Sequence, residues 1–143
     1  MLKKFIVYPL LIMVLLVTAD IGICFIYPDV SALKKTHFKK TAFMEYREKQ
    51  WKDQEPDKKL TYTWVPLKKV SPLLIKAVII AEDDKFWRHE GFDYAALQRA
   101  FEEDLRKKKF HAGGSTISQQ LAKNLYLTPA KNPIRKIKEA IYT

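Results

Sequence analysis

The alternation of apolar and polar positions divides the chain into one long apolar run and several shorter amphipathic stretches. The run covers residues 5–27, FIVYPLLIMVLLVTADIGICFIY, and its only charge is Asp20. About twenty apolar residues are enough to cross a bilayer as a helix, although a carboxylate is costly there unless it lies near the interface or faces a partner. Lys3 and Lys4 also fit a cleaved signal peptide, but no small-x-small cleavage site follows, so we favour an uncleaved anchor.

The segment after this run is rich in lysine and aromatic residues. Within it Phe43, Tyr46 and Gln50 recur at helical spacing, which predicts a short helix. Two interpretations are open: an amphipathic helix lying against a membrane, or a linker helix with solvated charges. Residues 60–67, LTYTWVPL, follow as a short extended piece that Pro66 ends.

Four further helices are predicted, because apolar residues recur every three or four positions. A Ser-Pro pair at residues 71–72 starts the first, and an Asn-Pro pair at residues 132–133 starts the last. Asp93 caps the second, which extends from Tyr94 to about Lys109. The faces expected to be buried are formed by Leu73, Leu74, Ala77, Val78 and Ala81; by Leu97, Ala100, Phe101 and Leu105; by Ile117, Leu121, Leu125 and Tyr126; and by Ile134, Ile137 and Ile141.

The chain carries a formal net charge of +10 and one cysteine, Cys24, which lies in the apolar run. Such a charge indicates an anionic partner. No nucleic-acid-binding motif is present, and a basic chain behind an apolar helix more naturally meets anionic lipid head groups and a lipid pyrophosphate. The pattern indicates no disulfide outside the run and no metal site built from His and carboxylates.

The first candidate for chemistry is EDDKFWRHEG, residues 82–91. Glu82, Asp83 and Asp84 directly follow the apolar stretch LLIKAVIIA. A carboxylate beside apolar surface and like charge can serve as a base or an acid near neutral pH. By itself this pattern is more often solvated surface.

The second candidate is GGSTISQQLAKN, residues 113–124. Two glycines free the backbone, and Thr116 and Gln119 have the spacing of a capping box. Free amides and the positive end of the helix dipole suit an anion there, with Lys123 further along. By itself GGST is an ordinary entry to a helix, and the order of residues in a Walker loop is absent.

In order and spacing, these two stretches followed by RKIKE, residues 135–139, resemble the first three motifs of the peptidoglycan glycosyltransferases. These lipid II polymerases occur alone or as the amino-terminal domain of bifunctional penicillin-binding proteins. The basic N-terminus, the single anchor and the stretch WVPLKKVSP are most similar to the stand-alone members. The resemblance implies a mostly α, lysozyme-like glycosyltransferase domain. It implies a cytoplasmic tail (1–4), a transmembrane anchor (5–27), a juxtamembrane linker or amphipathic segment (28–59) and the N-terminal portion of the domain (60–143).

The resemblance also implies inverting glycosyl transfer from a growing glycan to a sugar hydroxyl of lipid II, with release of undecaprenyl pyrophosphate. Such a displacement needs a base for the hydroxyl proton and a cationic site for the pyrophosphate. Carried over by motif, Glu82 is the general base and Asp83 the adjacent acid that orients the site. His89 is expected to fix the turn rather than transfer a proton, and Trp87 to pack. The implied substrate-binding residues are Phe86, His89, Gly114, Ser115, Thr116, Gln119, Gln120, Lys123, Lys131, Arg135, Lys136 and Glu139.

The implied partners are lipid II, the growing glycan strand, membrane lipids and other proteins of cell wall synthesis or division, without nucleic acid. The sequence indicates no cofactor with certainty, and a divalent cation, Mg²⁺ or Mn²⁺, at the pyrophosphate is left open. The family implies a single-pass protein of the bacterial inner (cytoplasmic) membrane, with its catalytic part on the periplasmic or extracytoplasmic side. The lysines that flank the run, two before and four after it, count toward the opposite orientation.

The sequence departs from the family at its end. It stops at Thr143, a few residues after the third motif, whereas the family's domain continues with two further motifs and a second acidic residue. The expectation is therefore either a fragment of a longer polymerase or a truncated, inactive lipid II-binding remnant. A muramidase or lytic transglycosylase is the other enzyme class, since the related fold also uses a single glutamate, but the polar and cationic cluster at residues 113–123 speaks against it.

Overall fold

The computed structural model describes residues 2–34, 38, 40–108, 113–130 and 132–143, with side chains from Phe5 onward. Helices dominate this part of the chain, and no strand occurs in it, so the mostly α fold class is confirmed. Short 3₁₀ turns cover Val30–Lys34, Leu67–Lys69 and Phe86–Arg88. The α-helices are α1 (Leu2–Ile23), α2 (Ala42–Gln54), α3 (Pro72–Glu82), α4 (Tyr94–Lys107), α5 (Ile117–Tyr126) and α6 (Pro133–Tyr142).

The chain forms two compact units. The first consists of Met1–Lys39 and Ala130–Tyr142, and so combines α1 with α6. The second consists of Lys40–Pro129 together with Thr143, and contains α2 to α5. The first two motif stretches therefore lie in the second unit, and the third motif lies in the first.

Of the described helices, α1 alone is long and apolar enough to cross a membrane by length and composition. The qualifying stretch is Phe5–Ile23, with a mean hydropathy of 2.3. The helix ends at Ile23, so Cys24–Tyr27 do not continue it as the sequence analysis expected. They form a turn instead, because their first backbone N–H groups bond to carbonyl oxygens three residues back rather than four.

In the first unit, α6 packs against α1. Lys138 Nζ donates to Asp20 Oδ1 at 2.6 Å, and the Tyr142 hydroxyl donates to the Tyr27 carbonyl oxygen at 3.4 Å. Asp20, the charge that needs a partner within an apolar helix, therefore has one in the same chain.

In the second unit, α2 packs against α5. Thr41 caps α2 by accepting the Met44 N–H at 3.1 Å, and Phe43, Tyr46 and Gln50 are half-buried. The predicted helix is confirmed, and it packs against another helix of the chain. This packing favours the interpretation of α2 as a linker helix over one that lies free on a membrane.

The helix starts predicted from the sequence are confirmed. α3 begins at Pro72 and α6 at Pro133. Asp93 caps α4, because its Oδ1 accepts a backbone N–H three residues further on at 2.8 Å. α4 ends at Lys107, and Lys109, its expected end, lies outside the described residues.

The expectation that every helix buries its apolar stripe is wrong for α3 and for part of α4 to α6. Leu73 is 78 % exposed and Phe101 is 61 % exposed, whereas Leu125 is buried. Helical periodicity shows which face is apolar, but burial needs a neighbour, and the extensive helix contacts of the described residues join only α2 to α5 and α1 to α6. The exposed stripe members are Leu73, Leu74, Ala77, Val78, Ala81, Phe101, Leu105, Leu121, Ile134 and Ile137.

The expected extended piece at residues 60–67 forms no strand. Pro66 leads instead into the 3₁₀ turn Leu67–Lys69. A single extended segment needs a neighbouring strand to be stable, and the described ranges contain none.

Asp93→Ala is expected to lower the Tm and to fray the start of α4, because it removes the side-chain acceptor at the cap. The Ala96 N–H, with Lys85 and Arg99 nearby, holds the pKa of Asp93 below its usual 3.8. A lowered carboxyl pKa stabilises the folded state at neutral pH, and this contribution is lost as the pH falls below about 4. Thermal unfolding followed by circular dichroism between about pH 3 and 7 measures it.

The matched control is Asp93→Asn, which keeps a capping oxygen but not the charge. It should retain most of the Tm at neutral pH and lose the acid dependence. An Asp93→Ala protein with the wild-type Tm at neutral pH would contradict the prediction.

Candidate active site

Asp83 joins the first two motif stretches. It is the C-cap residue of α3, and only 3 % of its side chain is exposed. Its Oδ1 accepts from His89 Nε2 at 2.9 Å, and its Oδ2 accepts from the N–H of Ile117, the first residue of α5, at 3.0 Å. Both carboxylate oxygens are thereby used to hold the first-motif loop against the start of α5.

His89 has both ring nitrogens bonded within the chain. Its Nδ1 accepts from the Gly91 N–H at 3.2 Å, which leaves Nε2 to donate to Asp83. A histidine engaged on both sides has its tautomer and ring orientation fixed. This geometry supports the expectation that His89 fixes the turn rather than transfers a proton.

Thr116 and Gln119 form the capping box that the sequence predicts. Thr116 Oγ1 accepts the Gln119 N–H at 3.2 Å, and Gln119 Oε1 accepts the Thr116 N–H at 3.1 Å. The Thr116 hydroxyl also donates to the carbonyl oxygen of Gly91 at 2.6 Å, and Gly91 has a positive φ of 100° that suits glycine. Thr116 and Gln119 are both buried, so they stabilise the loop, and their expected contact with substrate stays a prediction.

Several backbone amides at the start of α5, where an anion was expected to bind, are already engaged. The backbone N–H groups of residues 116, 117, 119 and 120 all donate within the chain. The positive end of the helix dipole favours a negative charge, and the carboxylate of Asp83 supplies it. These four amides are therefore occupied, and binding of a ligand by the other amides of residues 113–124 stays a prediction.

Glu82 lies beside the second motif. It is the last residue of α3, and its Oε2 accepts from Gln120 Nε2 at 2.9 Å. Lys123 follows Gln120 by three residues, so the two side chains lie on the same side of α5. The structure thus brings the candidate base and an amide together, with Lys123 one turn further along the same side of α5. Glu82 is exposed, so the described residues do not bury its carboxylate among apolar neighbours as expected.

A cleft of about 200 Å³ opens beside Glu82. Its walls are the end of α3, the start of α4 and residues 113–116, so Gly114 and Ser115 line it. A Cβ added to Gly114 would lie 3.0 Å from the Cβ of Ala100 on α4, so glycine allows the close approach of this loop. The expected roles of Gly114 and Ser115 in binding substrate stay predictions.

Arg99 also lines the cleft, although the sequence analysis did not single it out. It follows Ala96, another residue of the cleft wall, by three positions, which places the two on the same side of α4. The available signal was a cation one turn beyond the first turn of a capped helix. Arg99 adds a planar cation of the kind that binds phosphate oxygens in pairs.

Phe86 lies away from the Glu82 cleft. It lines an apolar groove of about 370 Å³ together with Trp87, Ile117 and residues of α3. Its ring meets that of Trp87 edge-on, with centroids 4.8 Å apart. Trp87 is otherwise exposed, so its expected packing is limited to this contact. A contact of Phe86 with substrate stays a prediction.

The third motif lies on α6, in the first unit. Glu139 is buried there, and it accepts from Arg135 Nη1 at 2.6 Å and from Lys136 Nζ. The carboxylate therefore holds both cations on one side of the helix. Lys131, another expected phosphate ligand, lies outside the described residues. Binding of substrate by Arg135, Lys136 and Glu139 stays a prediction.

Comparison with known proteins agrees with the motif series, since the family described as "Transglycosylase" matches residues 48–143. The chain belongs to this transglycosylase family. The "Biosynthetic peptidoglycan transglycosylase" of Aromatoleum aromaticum is 52 % identical over 103 residues, which cover 72 % of this chain and 45 % of the relative. That of Dechloromonas aromatica is 50 % identical over the same length and coverage. That of Neisseria meningitidis serogroup A is 42 % identical over 119 residues, or 83 % of this chain and 51 % of the relative.

The resemblance seen in the sequence is therefore confirmed at the level of the transglycosylase family. The chain spans about half the length of the curated relatives that it matches. The region that matches the family begins at residue 48, within α2. It therefore includes the end of that helix as well as the motif stretches.

The described residues of this transglycosylase-family chain contain no group of three or more side chains that could hold a metal ion. Both oxygens of Asp83 are occupied, but Glu82 and Asp84 line the cleft. Mg²⁺ is commonly bound by one or two carboxylates together with substrate phosphates and water. Glu82 and Asp84 fit such a shared site, and the binding of Mg²⁺ or Mn²⁺ stays a prediction.

Asp83→Ala is expected to destabilise the second unit by about 2 kcal/mol, because it leaves the Ile117 N–H and the His89 Nε2–H without their acceptor. Asp83→Asn should cost less, since one carbonyl oxygen remains. Urea unfolding of the detergent-solubilised chain, followed by tryptophan fluorescence, measures the change. Amide hydrogen exchange at Ile117 locates it.

The matched control is Asp84→Ala, an exposed neighbour, which should change the free energy of unfolding by less than about 0.5 kcal/mol. Equal effects of Asp83→Ala and Asp84→Ala, or unchanged exchange at Ile117, would rule out the bridging role of Asp83.

Proposed function

We propose that this chain carries the general base of a peptidoglycan glycosyltransferase. The reaction is polymerisation of lipid II into glycan strands by inverting glycosyl transfer, with release of undecaprenyl pyrophosphate, in cell wall biosynthesis. The observation that carries the proposal is the hydrogen bond from Gln120 to Glu82, which unites the first two motifs at one cleft. The names of the relatives, biosynthetic peptidoglycan transglycosylases, support the substrate class.

In the proposed reaction, Glu82 takes the proton of the acceptor sugar hydroxyl. The hydroxyl oxygen forms a bond to the anomeric carbon of the donor, on the face opposite the pyrophosphate. As this bond forms, the bond from the anomeric carbon to the pyrophosphate breaks and its electron pair leaves with the pyrophosphate oxygen, so the configuration inverts. The Gln120 amide holds one carboxylate oxygen in place, and the exposure of Glu82 leaves the carboxylate open to a large substrate.

The departing pyrophosphate needs positive charge placed near it. Lys123 lies on the same side of α5 as Gln120, and Arg99 on α4 lines the cleft. Lys123 acts as a point charge, while the Arg99 guanidinium can bind two oxygens. By motif, Arg135 and Lys136, which Glu139 holds in the first unit, are also proposed to bind phosphate of the substrate.

The proposed location follows from α1. This helix serves as a single-pass anchor in a bacterial inner membrane, with the remainder of the chain on the periplasmic or extracytoplasmic side, where lipid II is polymerised. The apolar stretch Phe5–Ile23 and the net charge of +10 support a protein that works at a lipid surface. The proposed partners are lipid II, the glycan strand, membrane lipids and other cell wall synthesis or division proteins.

The second candidate function is binding of lipid II without turnover. It is favoured by the open cleft and the exposed Glu82, because catalysis of glycosyl transfer is helped by exclusion of water. A muramidase or lytic transglycosylase is less consistent with the site, since cleavage of a glycan releases no pyrophosphate for Lys123 and Arg99 to stabilise.

Glu82→Gln is expected to lower the rate of lipid II polymerisation by about 10²- to 10⁴-fold, because it removes the general base. The matched control is Glu90→Gln, an exposed carboxylate of the same loop, which should leave the rate unchanged. The assay uses the detergent-solubilised chain and resolves the glycan products by length.

The same assay is run on the chain joined to the C-terminal remainder of the Aromatoleum aromaticum relative, since this chain spans about half of it. If glycan strands form with either version of the chain and are lost in Glu82→Gln, the proposal is supported. Strands that persist in Glu82→Gln overturn the role of Glu82. Absence of strands from both forms, with lipid II still bound, favours the binding function.

Lys123→Gln is expected to weaken binding of lipid II in nanodiscs by about tenfold, because it removes a charged hydrogen-bond donor. Lys123→Arg should retain most of the affinity. Lys107→Gln is the control, because Lys107 is an exposed cation already paired with Glu103. The measurement is the Kd by thermophoresis, and equal values for Lys123→Gln and Lys107→Gln would remove Lys123 from the site.

A further inference from the structure

We infer that the ion pair between Asp20 and Lys138 docks α6 onto the end of α1 and so holds the third-motif cations at the level of the lipid head groups. The inference rests on the anchor and the lipid pyrophosphate of the proposed function. Lys138 lies among the motif residues Arg135, Lys136 and Glu139 but was not itself assigned a role.

The ion pair is a tertiary contact with good geometry. Lys138 Nζ lies 2.6 Å from Asp20 Oδ1, between residues 118 positions apart in the sequence. The Lys138 side chain is 20 % exposed and that of Asp20 is 53 % exposed. The pair is partly enclosed, so it is less screened by solvent than a fully exposed pair.

The position of Asp20 along α1 sets the depth of the contact. Asp20 precedes the last residue of α1, Ile23, by three positions, which is about 4.5 Å along the helix axis. In a bilayer spanned by Phe5–Ile23, the carboxylate lies close to one interface. A carboxylate at that depth is stabilised by a cationic partner, and Lys138 must reach the same depth to supply it.

The composition of α6 suits this interface. Ile134, Ile137 and Ile141 recur at spacings of three and four, and Ile134 and Ile137 are exposed. An amphipathic helix with an exposed apolar face and a cationic face lies in the plane of a membrane interface, with its cations at the head groups.

A second contact anchors the far end of α6. The hydroxyl of Tyr142, its last residue, donates to the carbonyl oxygen of Tyr27 at 3.4 Å. Since Asp20 and Tyr27 lie on either side of the end of α1, the two contacts fix α6 at two points. Glu139 lies between them in sequence and holds Arg135 and Lys136. The cations are thereby placed where the pyrophosphate of a membrane lipid lies.

Chemical cross-linking tests the contact without any need for activity. The full chain carries Cys24→Ser, which removes its only cysteine, and is reconstituted into phospholipid vesicles. Tyr27→Cys with Tyr142→Cys, which keeps Asp20 and Lys138, should react with a short bismaleimide severalfold faster than Tyr27→Cys with Ala140→Cys. Ala140 is the matched control, because it is exposed and lies about 200° around α6 from Tyr142. Equal yields from the two pairs would overturn the docking.

Charge exchange tests the ion pair itself. Trypsin cleavage after Arg135 and Lys136, followed by mass spectrometry, reports how firmly α6 is held. Asp20→Lys and Lys138→Asp should each speed cleavage by about two- to fivefold, the size expected for loss of one ion pair. The combined variant and the conservative Asp20→Glu should return to the wild-type rate. A combined variant that is cleaved as fast as the single variants would contradict the ion pair.

Lipid II binding in nanodiscs tests the consequence. Asp20→Lys should weaken binding severalfold, and the charge-exchanged double variant should recover it. Unchanged binding in Asp20→Lys overturns the positioning of the cations. A wild-type chain that cross-links as expected but binds no lipid II refutes the proposed function and leaves the docking of α6 standing.

Discussion

The two hydrogen bonds accepted by the buried carboxylate of Asp83 hold the second unit's site together. One oxygen fixes the imidazole of His89, and the other meets the first N–H of α5. The imidazole in turn accepts the Gly91 N–H, and the Gly91 carbonyl accepts the Thr116 hydroxyl. The end of α3 is thereby tied to the start of α5, and Glu82 follows because it is the residue next to Asp83.

This network also explains why the adjacent carboxylates of Glu82 and Asp83 have different roles. Asp83 is buried and has both oxygens engaged, so it is a structural acceptor at the positive end of a helix dipole. Glu82 is exposed and accepts a hydrogen bond from the side-chain amide of Gln120. The difference arises from geometry, because Glu82 is the last residue of α3 and Asp83 is its C-cap. Adjacent residues at a helix end point in different directions.

Carboxylates also lie beside the candidate cations of the chain. In the third motif, Arg135 and Lys136 are held by the buried carboxylate of Glu139, so their charge is fixed in place and partly balanced. A pair held by a buried partner loses less side-chain entropy when it meets a ligand. At the cleft, Arg99 of α4 lies close enough to Asp93 to help lower the pKa of that carboxyl. Candidate cations therefore lie near carboxylates in both units.

The sequence alone determined the helices, their starts and the motif series, because caps, prolines and apolar spacing act over three or four residues. The capping box of Thr116 and Gln119 and the cap at Asp93 are local in this sense. The tertiary structure decided which apolar faces are covered, that the start of α5 is occupied by Asp83, that Arg99 reaches the cleft and that Asp20 pairs with Lys138. These contacts join residues far apart in the chain, and no local pattern specifies which distant surface a helix meets.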